Sequence, residues 1–229
     1  MAITVYMVRH GQTMLNRYNR LQGWCDSPLT EKGIEDARLA GRHLADIKFD
    51  AAYHTNTMRT IRTSGFILKA NHHTPNLKAA PLTYFKEQGF GYFEAADASQ
   101  VWLIAGANHG TRTYNDILRD YSFAETRDFL HQADPFGDAE SDAAYWQRLN
   151  AGIDYLRQNH TDGQKLLLVS HSLTTRSLVD HFAPELGAYN LGPKNGAVTK
   201  LEITATDVKV SYYNHYLDGE EYEKEPAFS

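Results

Sequence analysis

Two apolar runs restrict how this chain can fold more than any other feature. Lys165–Ser170, KLLLVS, follows Asp162-Gly163 and is continuous rather than alternating, as a central strand covered on both faces requires. Ile3–Val8, ITVYMV, is a second apolar run of strand length. Each stops at a histidine followed by small or polar residues: Arg9-His10-Gly11-Gln12-Thr13 after the first, His171-Ser172-Leu173-Thr174 after the second. Between the runs, strand and helix signals alternate. Thr30 reads as an N-cap before Ile34, Ala37, Gly41 and Leu44 at helical spacing, and Ala51–His54 as a short strand. Met58–Ala70 reads as a helix with Ile61, Gly65 and Leu68 along one side, Leu77–Pro81 as an edge strand, and Leu173–His181 as a helix. Ala197–Ile203 and Val208–Tyr213 alternate as two late strands joined around Ala205-Thr206.

The pattern predicts an α/β fold. Its expected form is a three-layer α/β/α sandwich, with a mostly parallel central sheet, helices on both faces and a capping insertion. Residues 90–140 break the rhythm with helical pieces (Ser99–Ala105, Tyr114–Tyr121, Ala124–Gln132) separated by Gly, Asn and Pro, before a helix from about Ser141 to Asn159. They are expected to cap the sheet edge within a single domain spanning 1–229, a length that buries a full core without staples. The acidic tail from Asp218 is expected to fray.

Charge and composition narrow the partners. A net charge of -5 with no basic run argues against nucleic acid and against an anionic membrane. No apolar stretch approaches the ~20 residues that span a bilayer. No basic n-region precedes the first run, and a single cysteine, Cys25, fits a reducing compartment, so the expected location is cytoplasmic. The exposed edge near 77–81 would allow pairing as a homodimer.

In an open α/β sheet, ligands gather at the carboxyl ends of the strands, and both His10 and His171 stand there. Alone, each is as well explained as a capping or core histidine. Arg9 beside His10, and Arg59 near the start of the helix after the second strand, change that reading. Guanidinium forks bind phosphate oxygens bidentately, and helix N-termini favour anions. Two arginines, two histidines and two helix starts on one edge describe a pocket for a tetrahedral oxyanion. His54, the His72-His73 pair, His109 and His131 lack metal-ligand spacing, and no metal is expected. Cys25 has no neighbouring base to activate it.

These residues resemble the histidine phosphatase superfamily, which includes the cofactor-dependent phosphoglycerate mutases. Five segments occur in family order: Arg9-His10-Gly11-Gln12-Thr13, Asn16 with NRLQGWCDSPLTEKG (Asn19–Gly33), the R-A-x-x-T-like Arg59–Thr63, Glu87 in FKEQGFGYFEA, and His171 as the second histidine. The resemblance implies that His10 is a nucleophile forming a phosphohistidine and that Arg9, Arg59 and His171 surround the phosphoryl oxygens. It also implies that Asn16 and the backbone at Gly23 add hydrogen bonds, and that Glu87 serves as acid and then base. Glu140-Ser141 with Arg148 resembles a further family segment, read as structural support with a substrate contact open.

Two departures bear on the reaction. Ser172 stands where many members have glycine, and as a helix-start serine it can cap or donate to phosphate. The mutases set their glutamate in N-E-R-H-Y-G, followed by a lysine and a twin arginine; here it sits in FKEQGFGYF, and Arg112 is solitary. The expected function is therefore a metal-independent phosphomonoester hydrolase acting on a small phosphorylated metabolite, with no cofactor. A mutase dependent on 2,3-bisphosphoglycerate is the alternative. A non-catalytic phospholigand-binding protein is a third, but its signature would be loss of His10, Glu87 or an arginine, and none is lost.

Overall fold

The computed structural model describes residues 2–217 and 220–221. The elements run β1 (Ile3–Arg9), α1 (Met14–Arg17), α2 (Glu31–His43), β2 (Ala51–His54), α3 (Met58–Ala70), β3 (Ala80–Pro81), α4 (Ala98–Gly106), α5 (Tyr114–Asp120) and α6 (Phe123–Ala133). They continue with α7 (Asp142–Asn159), β4 (Lys165–Ser170), α8 (Ser172–Phe182), β5 (Val198–Ile203), β6 (Val208–Leu217) and β7 (Glu220–Glu221). Apart from β7, the acidic tail from Asp218 lies outside the described residues. Among the described residues, no helix is long and apolar enough to cross a membrane.

The strands form one sheet in the order β3-β2-β4-β1-β5-β6-β7. β4 lies parallel to β1 and to β2, and β2 parallel to β3. The expected parallel sheet is thus the first four strands. β5, β6 and β7 continue it antiparallel, and the short link 204–207 between β5 and β6 suits an antiparallel pair. The strand expected over 77–81 shortens to two residues ending at Pro81, which lacks the N–H a ladder needs.

Alternation along the two central strands sorts the core into two faces. Val5, Met7, Leu166 and Leu168 face Tyr145, Leu149, Ile153 and Leu156 of α7 and Leu178 and Val179 of α8. Tyr6, Val8, Leu167 and Val169 face Ala40 of α2 and Ile67 and Leu68 of α3. Both faces are covered, which is why KLLLVS carries no polar interruption. Leu167 is fully buried, so Leu167→Ala would cost about 2–5 kcal/mol through lost transfer and a cavity.

α4, α5 and α6 build a third apolar cluster. Val101, Trp102, Ala105, Ile117, Phe129 and Leu130 close on Leu21, Phe90 and Phe93, with Leu173 of α8 packed against them. Each helix begins at a side-chain cap: Asp97, Thr113 and Ser122 accept from the third N–H of their helices, and the last two form reciprocal capping boxes. The segment between Gly91 and Glu140 is thereby seated beside the carboxyl ends of β1 and β4.

Candidate active site

β1 and β4 are neighbours in parallel register, with Arg9 opposite Ser170. The next residues along each strand, His10 and His171, therefore emerge side by side. Their rings meet edge to face, with centroids 5.2 Å apart, and both are buried.

The hydrogen bonds assign each ring its tautomer. His10 Nδ1 lies 2.8 Å from the carbonyl oxygen of Gly11, which can only accept, so Nδ1 carries the proton and Nε2 keeps its lone pair. Burial, then the positive charges of Arg59 and Arg9, hold the His10 pKa well below the ordinary histidine value. His171 has the opposite arrangement. Arg59 Nη2, which can only donate, lies 3.2 Å from Nδ1, so the proton sits on Nε2 and is donated to Thr55 Oγ1 at 2.7 Å. Burial, followed by Arg59, His10, Arg148 and Arg9, keeps this ring neutral as well.

Arg59 is fully buried and gripped by the loop that crosses above it. Nη1 donates to the carbonyl of Cys25 at 2.7 Å and to Asp26 at 3.1 Å; Nη2 donates to the carbonyl of Gly23 at 2.6 Å as well as to His171. Its Nε is buried with no partner among the described residues. Arg9 repeats the pattern: Nη1 donates to the carbonyl of Pro193 at 2.6 Å, and Nε is likewise enclosed and unpartnered among them. A buried donor left unpaired costs about 1–3 kcal/mol. An oxyanion between the two arginines would satisfy both.

Glu87 is buried and reaches the start of α8. Its carboxylate accepts from the N–H groups of Leu173 (2.9 Å), Thr174 (3.0 Å) and Gln88 (3.2 Å), and from the Thr174 hydroxyl. Asp26 takes the N–H of Met58 at the start of α3. The expectation that these two helix starts offer free N–H groups to a ligand is therefore corrected. Both are already neutralised by the protein's own carboxylates, since a helix end left unsatisfied inside the fold is costly.

Gly23 is a second correction. Its N–H does not face an anion site but donates to Glu94 at 3.0 Å. The same carboxylate accepts from Trp24 (2.7 Å), Cys25 (3.2 Å) and Phe90 (3.0 Å), so three successive N–H groups form a nest around it. Glu94 thus shapes the loop whose carbonyls hold Arg59. Sequence reasoning gave it no role, although it falls within the segment that resembles the family. Burial, then the neighbouring Glu94 carboxylate, pushes the Cys25 thiol up to about 12, so it stays protonated.

Asn16 caps α1 reciprocally with Thr13: its Oδ1 accepts the Thr13 N–H at 3.1 Å, which directs the amide nitrogen away from that bond. Ser172 is half-buried at the first position of α8. Gly11 owes its identity to packing rather than to an anion. A Cβ there would collide with the backbone of Gly33, and one at Gly33 would collide with Gln12. The Gly11 N–H donates to Thr63 Oγ1 at 3.1 Å, a role for Thr63 that the sequence did not suggest.

Arg148 forms a two-pronged pair with Glu140 at 2.8 and 2.7 Å and donates to the carbonyls of Tyr84, Lys86 and Glu87. It braces the Glu87 segment, the support expected of it. Arg176 donates to the carbonyls of Ala188 and Tyr189 and to the Tyr114 hydroxyl, which holds the loop after α8.

Comparison with known proteins agrees with this geometry. The 2,3-bisphosphoglycerate-dependent phosphoglycerate mutase 2 of Gloeobacter violaceus is 28% identical over 188 residues, 81% of this chain and 78% of that protein. The fructose-2,6-bisphosphatase TIGAR B of Danio rerio is 36% identical over 107 residues, 46% of this chain and 41% of that protein. The crystal structure of phosphoglycerate mutase from Bacillus anthracis str. Sterne matches with a TM-score of 0.87 and 32% identity, covering 94% of each chain. The model of the histidine phosphatase superfamily (branch 1) matches residues 5–215, and the chain belongs to that family.

Proposed function

We propose that the protein is a metal-independent phosphomonoester hydrolase that works through a phosphohistidine at Nε2 of His10, on a small phosphorylated metabolite. The observation that carries this reading is the His10 tautomer. Nδ1–H is tied to Gly11, leaving a neutral, buried Nε2 lone pair beside two arginines whose Nε donors lack partners among the described residues. In the first step Nε2 attacks phosphorus, the ester P–O bond breaks, and the leaving alkoxide takes a proton that Glu87 carries on Oε2, the oxygen that accepts only from Leu173 N–H. In the second step the Glu87 carboxylate takes a proton from water, the oxygen attacks phosphorus, and the P–N bond breaks to return neutral His10 and inorganic phosphate. Arg9 and Arg59 stabilise the charge on the equatorial oxygens in both steps.

The mutase reading draws on the relatives named above. A mutase must also hold a second anionic group while its bisphosphorylated intermediate reorients. In the 90–140 segment, Arg119 is paired with Asp116 and Asp120, and Arg127 with Asp142. Those cations are already neutralised, which supports hydrolysis.

Hydrolysis of para-nitrophenyl phosphate by wild type and His10→Ala, with trapping of an acid-labile phosphoenzyme, tests the proposal. Equal rates for the two proteins would sink it. Conversion of 3-phosphoglycerate with and without 2,3-bisphosphoglycerate separates the reactions, and strong stimulation yielding 2-phosphoglycerate would establish the mutase.

A further inference from the structure

We propose that Thr55 is a positioning residue for His171, acting through a hydroxyl relay that keeps the His171 proton on Nε2 and Nδ1 available as the anchor for Arg59. This inference rests on the hydrolase reading for its kinetic consequence, but its structural content stands apart from it. Thr55 comes directly after β2 and is fully buried, as are Thr60 on α3 and, nearly, Thr57 at its N-cap. Thr55 Oγ1 lies 2.7 Å from His171 Nε2 and 3.2 Å from Thr60 Oγ1, and Thr60 Oγ1 donates to the carbonyl of Thr57 at 2.9 Å.

The direction of the relay is forced at both ends. Arg59 has no acceptor, so His171 Nδ1 must be unprotonated; the Thr57 carbonyl has no donor, so the Thr60 hydroxyl must point to it. With those ends set, the bonds run His171 Nε2–H to Thr55, Thr55 O–H to Thr60, and Thr60 O–H to the Thr57 carbonyl, while the Thr57 hydroxyl (3.0 Å) and the Thr55 N–H (3.3 Å) also approach Thr60 Oγ1. The charged or titratable groups that act on this ring are Arg59, His10, Arg148 and Arg9; the arginines cannot accept, and His10 meets the ring edge to face, with Thr55 Oγ1 the acceptor at hydrogen-bond distance from Nε2. His171 therefore presents a lone pair, not a donor, towards Arg59. Its work in this conformation is to orient one Nη of that arginine, leaving Nε for the phosphoryl group.

Without Thr55 Oγ1 the buried Nε2–H loses its acceptor at 2.7 Å, and the tautomer with the proton on Nδ1 loses its disadvantage. In that tautomer the contact with Arg59 becomes N–H against N–H and opens. Thr55→Val keeps the shape and removes the hydroxyl; Thr55→Ser keeps the hydroxyl.

Nitrogen-15 NMR of the histidine rings should show wild-type His171 as a single tautomer protonated on Nε2, and Thr55→Val as a mixture. With para-nitrophenyl phosphate, Thr55→Val should lose about tenfold in kcat with KM changed less than about threefold, and Thr55→Ser should recover to within about threefold of wild type. Thr60→Val, which breaks the relay one step further out, should shift the tautomer in the same direction and less. Thermal unfolding confirms that each variant is folded. The inference falls if folded Thr55→Val keeps the pure Nε2–H tautomer, or if Thr55→Ser loses as much activity as Thr55→Val. If wild type shows no hydrolysis while Thr55→Val still shifts the tautomer, the relay stands and the hydrolase reading falls.

Discussion

The ends of β1 and β4 look alike in sequence and differ in chemistry. Both are apolar strands that stop at a histidine, and the two rings lie 5.2 Å apart in one buried site. Yet His10 has one nitrogen tied down and one free, whereas both nitrogens of His171 are committed. His10 meets a carbonyl from its own turn. His171 meets a guanidinium from α3 and a hydroxyl from the end of β2. A histidine takes its role from whether its partners can only accept or only donate. Of the two, only His10 keeps a lone pair for the nucleophilic step of the proposed reaction.

The largest test of that asymmetry is to remove each ring in turn. His10→Ala should abolish turnover of para-nitrophenyl phosphate, a loss of ~10⁴-fold or more in kcat, because the nucleophile is gone. His171→Ala should lose only ~10²-fold, the cost of a loosened Arg59. Equal losses in steady-state assays would erase the distinction between the two strand ends.

Glu87 sharpens it next. Glu87→Gln should lower kcat by ~10²–10³-fold while Oε1 continues to accept from the start of α8. Glu87→Ala should in addition uncap the helix and lower stability by about 1–2 kcal/mol in urea unfolding. If both variants unfold alike and retain activity, the carboxylate serves the helix alone. Glu94→Ala removes the acceptor from four N–H groups. It should cost about 1–3 kcal/mol and lower kcat/KM, because the loop carbonyls that grip Arg59 lose their frame. Unchanged unfolding would show that water replaces the carboxylate without loss.

The last test, on stability against pH, does not touch turnover. Burial lowers the pKa of both histidines in the folded state, so below about 6.5 the unfolded chain binds more protons than the folded one. Their contribution is therefore complete above that pH and is lost as pH falls towards the folded values, with a slope of about 1.4 kcal/mol per pH unit for each proton. Urea unfolding between pH 8 and pH 5 should show this decline, and His171→Gln should flatten it. A slope unchanged by that substitution would mean that His171 is already protonated in the fold.

Much of the site is legible in the sequence because strand ends are. An apolar run of six residues has the length of a strand, and the residue just past its end surfaces at a sheet edge. Arg9, His10 and His171 could therefore be placed together from the order of residues alone. Arg59 came from the next strand and helix, and Glu87 from resemblance alone. The occupants of the helix starts were not legible. Glu87 lies 86 residues from Leu173, and Glu94 lies 71 from Gly23; a carboxylate that caps a distant helix reads like one in solvent. The same holds for Thr55, which is 116 residues from the ring it serves.

By itself, the sequence determined the strand–helix alternation, the two-sided core and the edge at which two arginines and two histidines converge, since local periodicity and the positions of strand ends dictate them. Only the tertiary structure decided which histidine keeps a free lone pair, why Gly11 tolerates no side chain, and that both helix starts are filled by Asp26 and Glu87. Those are properties of hydrogen-bond partners brought from far along the chain. A proton's position on a ring is fixed by what faces it, and nothing in the order of the residues records that.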